Sequence, residues 1–244
     1  MLHLNYKKYG SGIPLIIIHG FTGSLDNWHT LATEWGKNGL EVYTLDMRNH
    51  GRSPHTEDHS ISLMAEDAKD FLSQQNISKA NFLGHSMGGK VVMELALKYP
   101  ALVDKLIVVD ISPREYKRLD LELFDAIKDL EFEKVTSRKM AEDFMKRTIS
   151  DMGSIQFFLK NLERKDSGEY AWKFNYEALL RNAEEMIREI SSDHPFKGDT
   201  LFIKGEFSNY IREKDFEPIK KLFPNSRIET IKDAGHWVHA DKPK

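Results

Sequence analysis

The stretch NFLGHSMGGKVVMELALKYP, residues 81–100, passes from a short apolar run to a strongly periodic amphipathic one through Gly84-His85-Ser86-Met87-Gly88. This junction limits the folds open to the chain, because strand must become helix within one or two residues. A turn that tight holds its central residue in a strained conformation, and Gly84 and Gly88 remove the Cβ clashes that would otherwise forbid it. The Ser86 hydroxyl then stands above a sheet. The first amides of the helix, from Met87 onward, point the same way and favour negative charge. A glycine-rich strand–helix turn without chemistry is the simpler alternative, but the patterning on both sides favours a nucleophilic serine.

The rest of the chain supplies the sheet. Up to about residue 112, short apolar runs alternate with helical patterns, which predicts an α/β fold with a mostly parallel sheet flanked by helices. Strands are expected at 3–9, 14–20, 40–46, 79–84 and 105–110, and helices around 27–36, 61–75 and 87–99. Residues 114–194 break the rhythm and read as charged amphipathic helices with no comparable apolar strand. Leu119, Leu123, Phe124 and Ile127 form one stripe, and Met140, Phe144 and Met145 another. Such stripes are read first as packing surface. The alternation returns with strands at 199–205 and 226–232 and a helix near 215–223. The expected organisation is therefore a core of 1–113 and 195–244, split by a helical insertion at 114–194.

Composition removes several classes of function. The 244 residues carry a net charge of −3, so the electrostatic footprint of a nucleic-acid or anionic-membrane binder is missing. The longest apolar run, residues 14–18, is too short to span a bilayer, and MLHLNYKKYG lacks the pattern of a secretory leader, so a cytoplasmic location without membrane insertion is expected. The sequence contains no cysteine, which excludes disulfides and thiolate chemistry. No His/Asp cluster has metal-ligand spacing, so neither a metal nor another cofactor is expected. Oligomeric state is not legible.

A nucleophilic serine needs two N–H donors aimed at a developing oxyanion, one from the following residue and one from a loop after an earlier strand. Met87 is the first candidate. IIIHGFTGS supplies the second through Phe21, and His19 is read as stitching that loop to its neighbours. Among ten histidines, chain order selects the base, because a serine on such a turn is followed first by its acid and then by its histidine. That order leaves His194, His236 and His239. His236 sits in a loop after the last expected strand and is preceded by Gly235, whereas His194 precedes Pro195 and reads as a junction residue. KLIVVDISPREY, residues 105–116, sends a buried strand straight into Asp110. An aspartate there commonly bonds its own turn. Its place at the exit of the strand also suits the acid that holds a histidine's tautomer.

HGFTGSLDNW, LDMRNHGRS, GHSMGGK and DAGHW together resemble the α/β-hydrolase superfamily over essentially the whole chain. DMRNHGRS, GHSMGGKVVMELALKYP and KLIVVDISPREY are similar to its small esterase and thioesterase branch, which includes YbfF-type esterases and ABHD eleven-like proteins. The resemblance implies an α/β-hydrolase fold with a helical cap inserted after the sixth sheet strand, by the family's count. It also implies serine-dependent hydrolysis of small-molecule acyl esters or thioesters without a cofactor, and a final helix beyond HWVHADKPK. One segment departs from the superfamily. Where most members carry an acid after the seventh strand, this chain reads GEFSNYI, with Ser208 in that place. The branch resembled here uses the earlier position, which is Asp110. Glu206, Asp215 and Asp233 are the rival acids, and Ser208 is a candidate partner for Asp110 or His236.

Asp46, Arg48, Asn49, His50 and Arg52 are expected to form a buried polar brace, and Asp26 and Trp28 to cap and pack the next helix. Phe124, Phe144, Phe157, Phe158 and Trp172 are candidates for an apolar lining of the cap. The same scaffold also supports carbon–carbon bond hydrolysis or lyase chemistry on acidic, ring-type substrates, and a ligand-binding relative without turnover.

Overall fold

The computed structural model describes residues 1–117, 130 and 132–243. Its strands are β1 (Tyr6–Tyr9), β2 (Ile13–Ile18), β3 (Leu40–Leu45), β4 (Ala80–His85), β5 (Val103–Val109), β6 (Leu162–Arg164), β7 (Tyr170–Trp172), β8 (Asp199–Gly205) and β9 (Ser226–Ile231). The helices that position the site are α1 (His29–Gly36), α2 (Ile61–Gln74) and α3 (Met87–Lys98), followed by α4 (Arg138–Met145) and α5 (Met152–Lys160) in the inserted segment.

Seven strands form one sheet in the order β1-β3-β2-β4-β5-β8-β9. β1 runs antiparallel to β3, and every other pairing in this sheet is parallel. The run Leu15-Ile16-Ile17-Ile18 shows why the sheet is covered on both faces. Ile16 and Ile18 join the core cluster containing α2 and α3, while Leu15 and Ile17 join Trp28 and Ala32 on the α1 side. Alternate residues of a strand face opposite ways, so a strand buried on both sides must be apolar throughout. Fully burying one such side chain contributes about 1.5–3 kcal/mol.

β2 is followed in sequence by β3 on one side of it, and β4 then pairs on its other side. The loops leaving β2 and β4 therefore diverge, which opens a crevice at the carboxyl edge of the sheet. Phe21 follows β2, Ser86 follows β4, Asp110 follows β5, Ser208 follows β8 and His236 follows β9. Residues scattered over the sequence thus arrive at one edge.

The inserted segment differs from the expected all-helical run. It contains the antiparallel hairpin β6–β7, with Leu162 opposite Trp172. Three-residue strands carry no readable periodicity, and their sheet forms only because Leu162 and Trp172 join the segment's own apolar cluster. In chain order the insertion follows the fifth strand of this sheet rather than a sixth. Of the second helical stripe, Met145 is buried and Phe144 packs on that cluster, but Met140 is exposed. Leu119, Leu123, Phe124 and Ile127 lie outside the described residues.

The two ends of the insertion are paired to each other and to α3. The Tyr116 amide donates to the Ile187 carbonyl at 2.8 Å, and the Ile190 amide to the Pro113 carbonyl at 2.7 Å. Buried Lys90, one turn beyond Ser86, donates from Nζ to the carbonyls of Arg114 and Arg188. Its burial beside two arginines pushes the ammonium down to about 7. Among the described residues, no helix is long and apolar enough to cross a membrane.

Candidate active site

Ser86 occupies the turn between β4 and α3 with φ +53° and ψ −117°. An L-residue holds such a conformation only where its surroundings impose it. Here the Ser86 amide donates to the Val109 carbonyl of β5 at 3.0 Å. A Cβ on Gly84 would lie 2.1 Å from the Gly88 carbonyl oxygen, and one on Gly88 would lie 2.3 Å from that of Ile18. Glycine at both positions is what lets the turn close against β2.

His236 Nε2 lies 3.1 Å from Ser86 Oγ, and its Nδ1 lies 2.8 Å from Asp110 Oδ2. One ring therefore bridges hydroxyl and carboxylate. With Nδ1 carrying the proton and donating to Asp110, Nε2 is left to accept from Ser86. Asp110 is fully buried with φ +51°, and its amide donates to the Ile203 carbonyl at 2.8 Å. Its Oδ1 accepts the Gly205 amide at 3.0 Å, and Oδ2 also accepts the Ser208 hydroxyl. These donors offset the desolvation of the buried carboxylate and fix its plane.

The rival acids are engaged elsewhere. Glu206 accepts the Asp233 amide at 2.9 Å, Asp215 pairs with Arg114 at 3.3 Å, and Asp233 is exposed with Lys242 3.4 Å away. His194 is exposed and its amide bonds to Ser192.

Phe21 and Met87 both line the cleft beside Ser86. Two histidines hold the loop that carries Phe21. His19 donates from Nδ1 to the Gly20 carbonyl at 2.8 Å and accepts the Met47 amide at Nε2, 3.1 Å away. His50 accepts the Thr22 amide at 3.2 Å and donates to the Arg48 carbonyl at 2.9 Å. Both rings are buried, and that burial lowers their affinity for a proton. Neutral rings with fixed tautomers make rigid braces.

The LDMRNHGRS segment completes that support. Asp46 accepts from the Leu25 amide at 2.8 Å, from the Arg52 amide at 2.9 Å and from Asn5 Nδ2 at 2.7 Å. Arg48 grips Asp67 with two bonds of 2.6 and 2.8 Å. Asn49 reaches the inserted segment by accepting the Asn175 amide at 2.9 Å. The side chain of Arg52 is exposed, so only its amide belongs to the brace. Asp26 pairs with Lys7 at 2.7 Å instead, and Ser24 holds the N-cap position of the helical turn, its amide donating to Asn27 Oδ1 at 2.7 Å. Trp28 is buried against His239, with ring centroids 4.4 Å apart.

Beneath the brace, His59 is buried with no partner for either ring nitrogen among the described residues. Desolvation, with Arg48 and His19 nearby, pushes it down from 6.5 to about 3. Its value in the fold lies below that of the unfolded chain, so its contribution to stability is complete above about pH 6.5 and is lost as the pH falls toward 3. His59→Phe keeps the volume and removes the proton site. The acid-unfolding midpoint, followed by circular dichroism, is expected to move down by about half a pH unit or more. An unchanged or higher midpoint would contradict this.

The cleft encloses about 740 Å³ of space, its open mouth included. The inserted segment contributes Tyr116, Phe157, Phe158, Met186 and Ile187, while the core contributes Ile111, Tyr210 and Trp237. Phe144 and Trp172 pack inside the inserted segment's own cluster instead, and Phe124 lies outside the described residues. Two further residues of the cleft, His85 and Tyr210, carry no assigned role in the sequence motifs. His85 donates from Nε2 to the His236 carbonyl at 2.8 Å, and the Tyr210 ring lies against the imidazole. His85 could have been found from its place directly before Ser86 in Gly84-His85-Ser86-Met87-Gly88, since as the last residue of β4 it leaves the sheet at the same edge.

A family model described as the α/β hydrolase fold matches residues 13–243. The chain belongs to that family. More particularly, it is 38% identical over 99% of its length to the sn-1-specific diacylglycerol lipase ABHD11 of Danio rerio, covering 79% of that protein. It is 39% identical over 94% of its length to Esterase YbfF of Escherichia coli (strain K12), covering 88% of that protein. A solved structure described as a marine microorganism esterase superposes with a TM-score of 0.96 at 42% identity, covering 100% of this chain and 96% of the other.

Proposed function

We propose that the protein is a serine hydrolase that cleaves short-to-medium acyl esters or thioesters through an acyl-enzyme on Ser86. The observation that carries this reading is the unbroken row from Ser86 through His236 to buried Asp110, at the floor of an apolar cleft. The described part of the insertion at 114–194, which lines the cleft through Tyr116, Phe157, Phe158, Met186 and Ile187, acts as the cap over that floor. His236 Nε2 removes the Ser86 proton as Oγ attacks the acyl carbonyl, and the amides of Phe21 and Met87 hold the oxyanion. Asp110 keeps the imidazole's proton on Nδ1 and stabilises the imidazolium. His236 then gives the proton to the leaving alkoxide or thiolate. Water, deprotonated by the same nitrogen, attacks the acyl-enzyme and releases the carboxylic acid.

The lining argues for neutral acyl groups. Among the described residues, no lysine or arginine lines the cleft, whereas an acidic ring substrate for carbon–carbon cleavage would need a cation to offset its desolvation. A p-nitrophenyl ester series from acetyl to decanoyl tests this. kcat/KM is expected to rise with each early methylene, by up to about fourfold for each fully buried CH2, and to fall once the chain outgrows the cleft. A flat series, or a preference for acidic ring substrates over every neutral ester, would contradict it.

A further inference from the structure

The turn after β8 touches both Asp110 and His236, although the superfamily's usual acid is absent from it. Ser208 donates its hydroxyl to Asp110 and accepts the Tyr210 amide at 3.2 Å. The Tyr210 ring lies almost parallel to the His236 imidazole, with centroids 3.9 Å and planes 20° apart. Behind it, buried Tyr116 donates its hydroxyl to the Tyr210 carbonyl at 2.6 Å and accepts the Ser112 amide at 2.8 Å. The two tyrosine rings are 5.4 Å apart. The Arg114 guanidinium covers the outer face of Tyr116 at 3.8 Å. Tyr210 is thus held from behind while its face meets the imidazole.

That contact changes value during catalysis. A neutral imidazole gains packing from the ring, but an imidazolium also gains the attraction of a cation for a π face. The titratable groups facing His236 are few. Asp110 bonds it directly. His85, with its ring 4.7 Å away, is kept neutral by burial well below its ordinary value. His239, held down to about 4 by burial and by its proximity to His236, is neutral as well. Neither histidine adds a competing positive charge. His236 also stands in a loop rather than in a helix or strand, so a flat surface against one face of its ring limits its swing away from Ser86.

We propose that Tyr210 is a positioning residue for the base, keeping the His236 ring in line between Asp110 and Ser86 and favouring its protonated form when it takes the serine proton. This rests on the assignment of Ser86 as nucleophile and His236 as base. The test compares Tyr210→Leu and Tyr210→Phe with the parent, using pH profiles of kcat and kcat/KM on p-nitrophenyl butyrate and Ser86→Ala in the same assay. Leucine fills the space and keeps water out but offers no π face. It is expected to lower kcat about fivefold and to move the acid limb of the profile down by about half a pH unit. Phenylalanine restores the face, so it is expected to stay within about twofold of the parent with its acid limb in place. Tyr210 is half-buried at the mouth of the cleft, and both variants are expected to fold with a parent-like Tm.

A leucine variant with parental kcat and acid limb overturns the proposal. So does a leucine variant that is slower with an unmoved acid limb, which would leave packing as the residue's only role. A phenylalanine variant as slow as the leucine one overturns it too. Ser86→Ala with parental turnover would instead remove the assignment on which the proposal stands, an outcome distinguishable because the Tyr210 variants are not needed to see it.

Discussion

Ser86→Ala is expected to lower kcat on p-nitrophenyl esters by about five to six orders of magnitude while leaving the Tm close to that of the parent. The size follows from interdependence. Without Oγ, no acyl-enzyme forms, and His236 and the oxyanion donors can only assist a direct attack by water. Residual catalysis from the oxyanion site and substrate binding sets the floor. The fold is insulated because the backbone at residue 86, rather than its hydroxyl, makes the bonds to Val109 and Lys90 that hold the turn. Alanine at φ +53° carries the same strain as serine. A variant keeping more than about 1% of parental kcat, well above what losing the nucleophile permits, would remove serine chemistry from the account.

Asp110→Asn is expected to cost about 10⁴-fold in kcat, with much less change in KM. An asparagine amide can donate to Nδ1, which drives the ring proton to Nε2. The nitrogen facing Ser86 then cannot accept a proton. The variant also meets two donors built for a carboxylate, the Gly205 amide and the Ser208 hydroxyl, so one of them faces an NH2 group. Glu206→Gln and Asp233→Asn are expected to stay within about twofold of the parent in kcat, since surface substitutions away from the site have small effects. Their side chains bond a backbone amide and an exposed lysine. Asp215 is buried against Arg114, so its loss is expected in stability rather than in the pH profile. Full activity of Asp110→Asn alongside an inactive Glu206→Gln or Asp233→Asn would reverse the assignment.

Much of the sheet was legible because its strands obey two simple constraints. Ile13–Ile18, Leu40–Leu45 and Val103–Val109 are mostly apolar, are buried toward their carboxyl ends and are bounded by turn residues, and each lies within two residues of its expected limits. Ser86 was readable because a strand and a periodic helix flank it so closely that little but a strained turn fits between them. Asp110 and His236 depended on chain order and on a resemblance, and the fold brings both to Ser86 from the ends of β5 and β9. The β6–β7 hairpin was not legible, since its strands have three residues each and are fixed by packing inside the insertion rather than by pattern. Tyr210 was hidden for another reason. Its role depends on the angle between two rings from segments far apart in sequence, and spacing carries no signal for that.

The most direct test of acyl-enzyme chemistry on Ser86 is a stopped-flow burst with p-nitrophenyl butyrate, followed by acid quench and peptide mass analysis. The account predicts a burst of p-nitrophenol approaching one equivalent per chain where deacylation is the slower step, and a butyryl group on the peptide containing Ser86. It also predicts that neither appears in Ser86→Ala. Steady turnover by the parent with no acyl group on that peptide, or an acyl group carried by another residue, would contradict it.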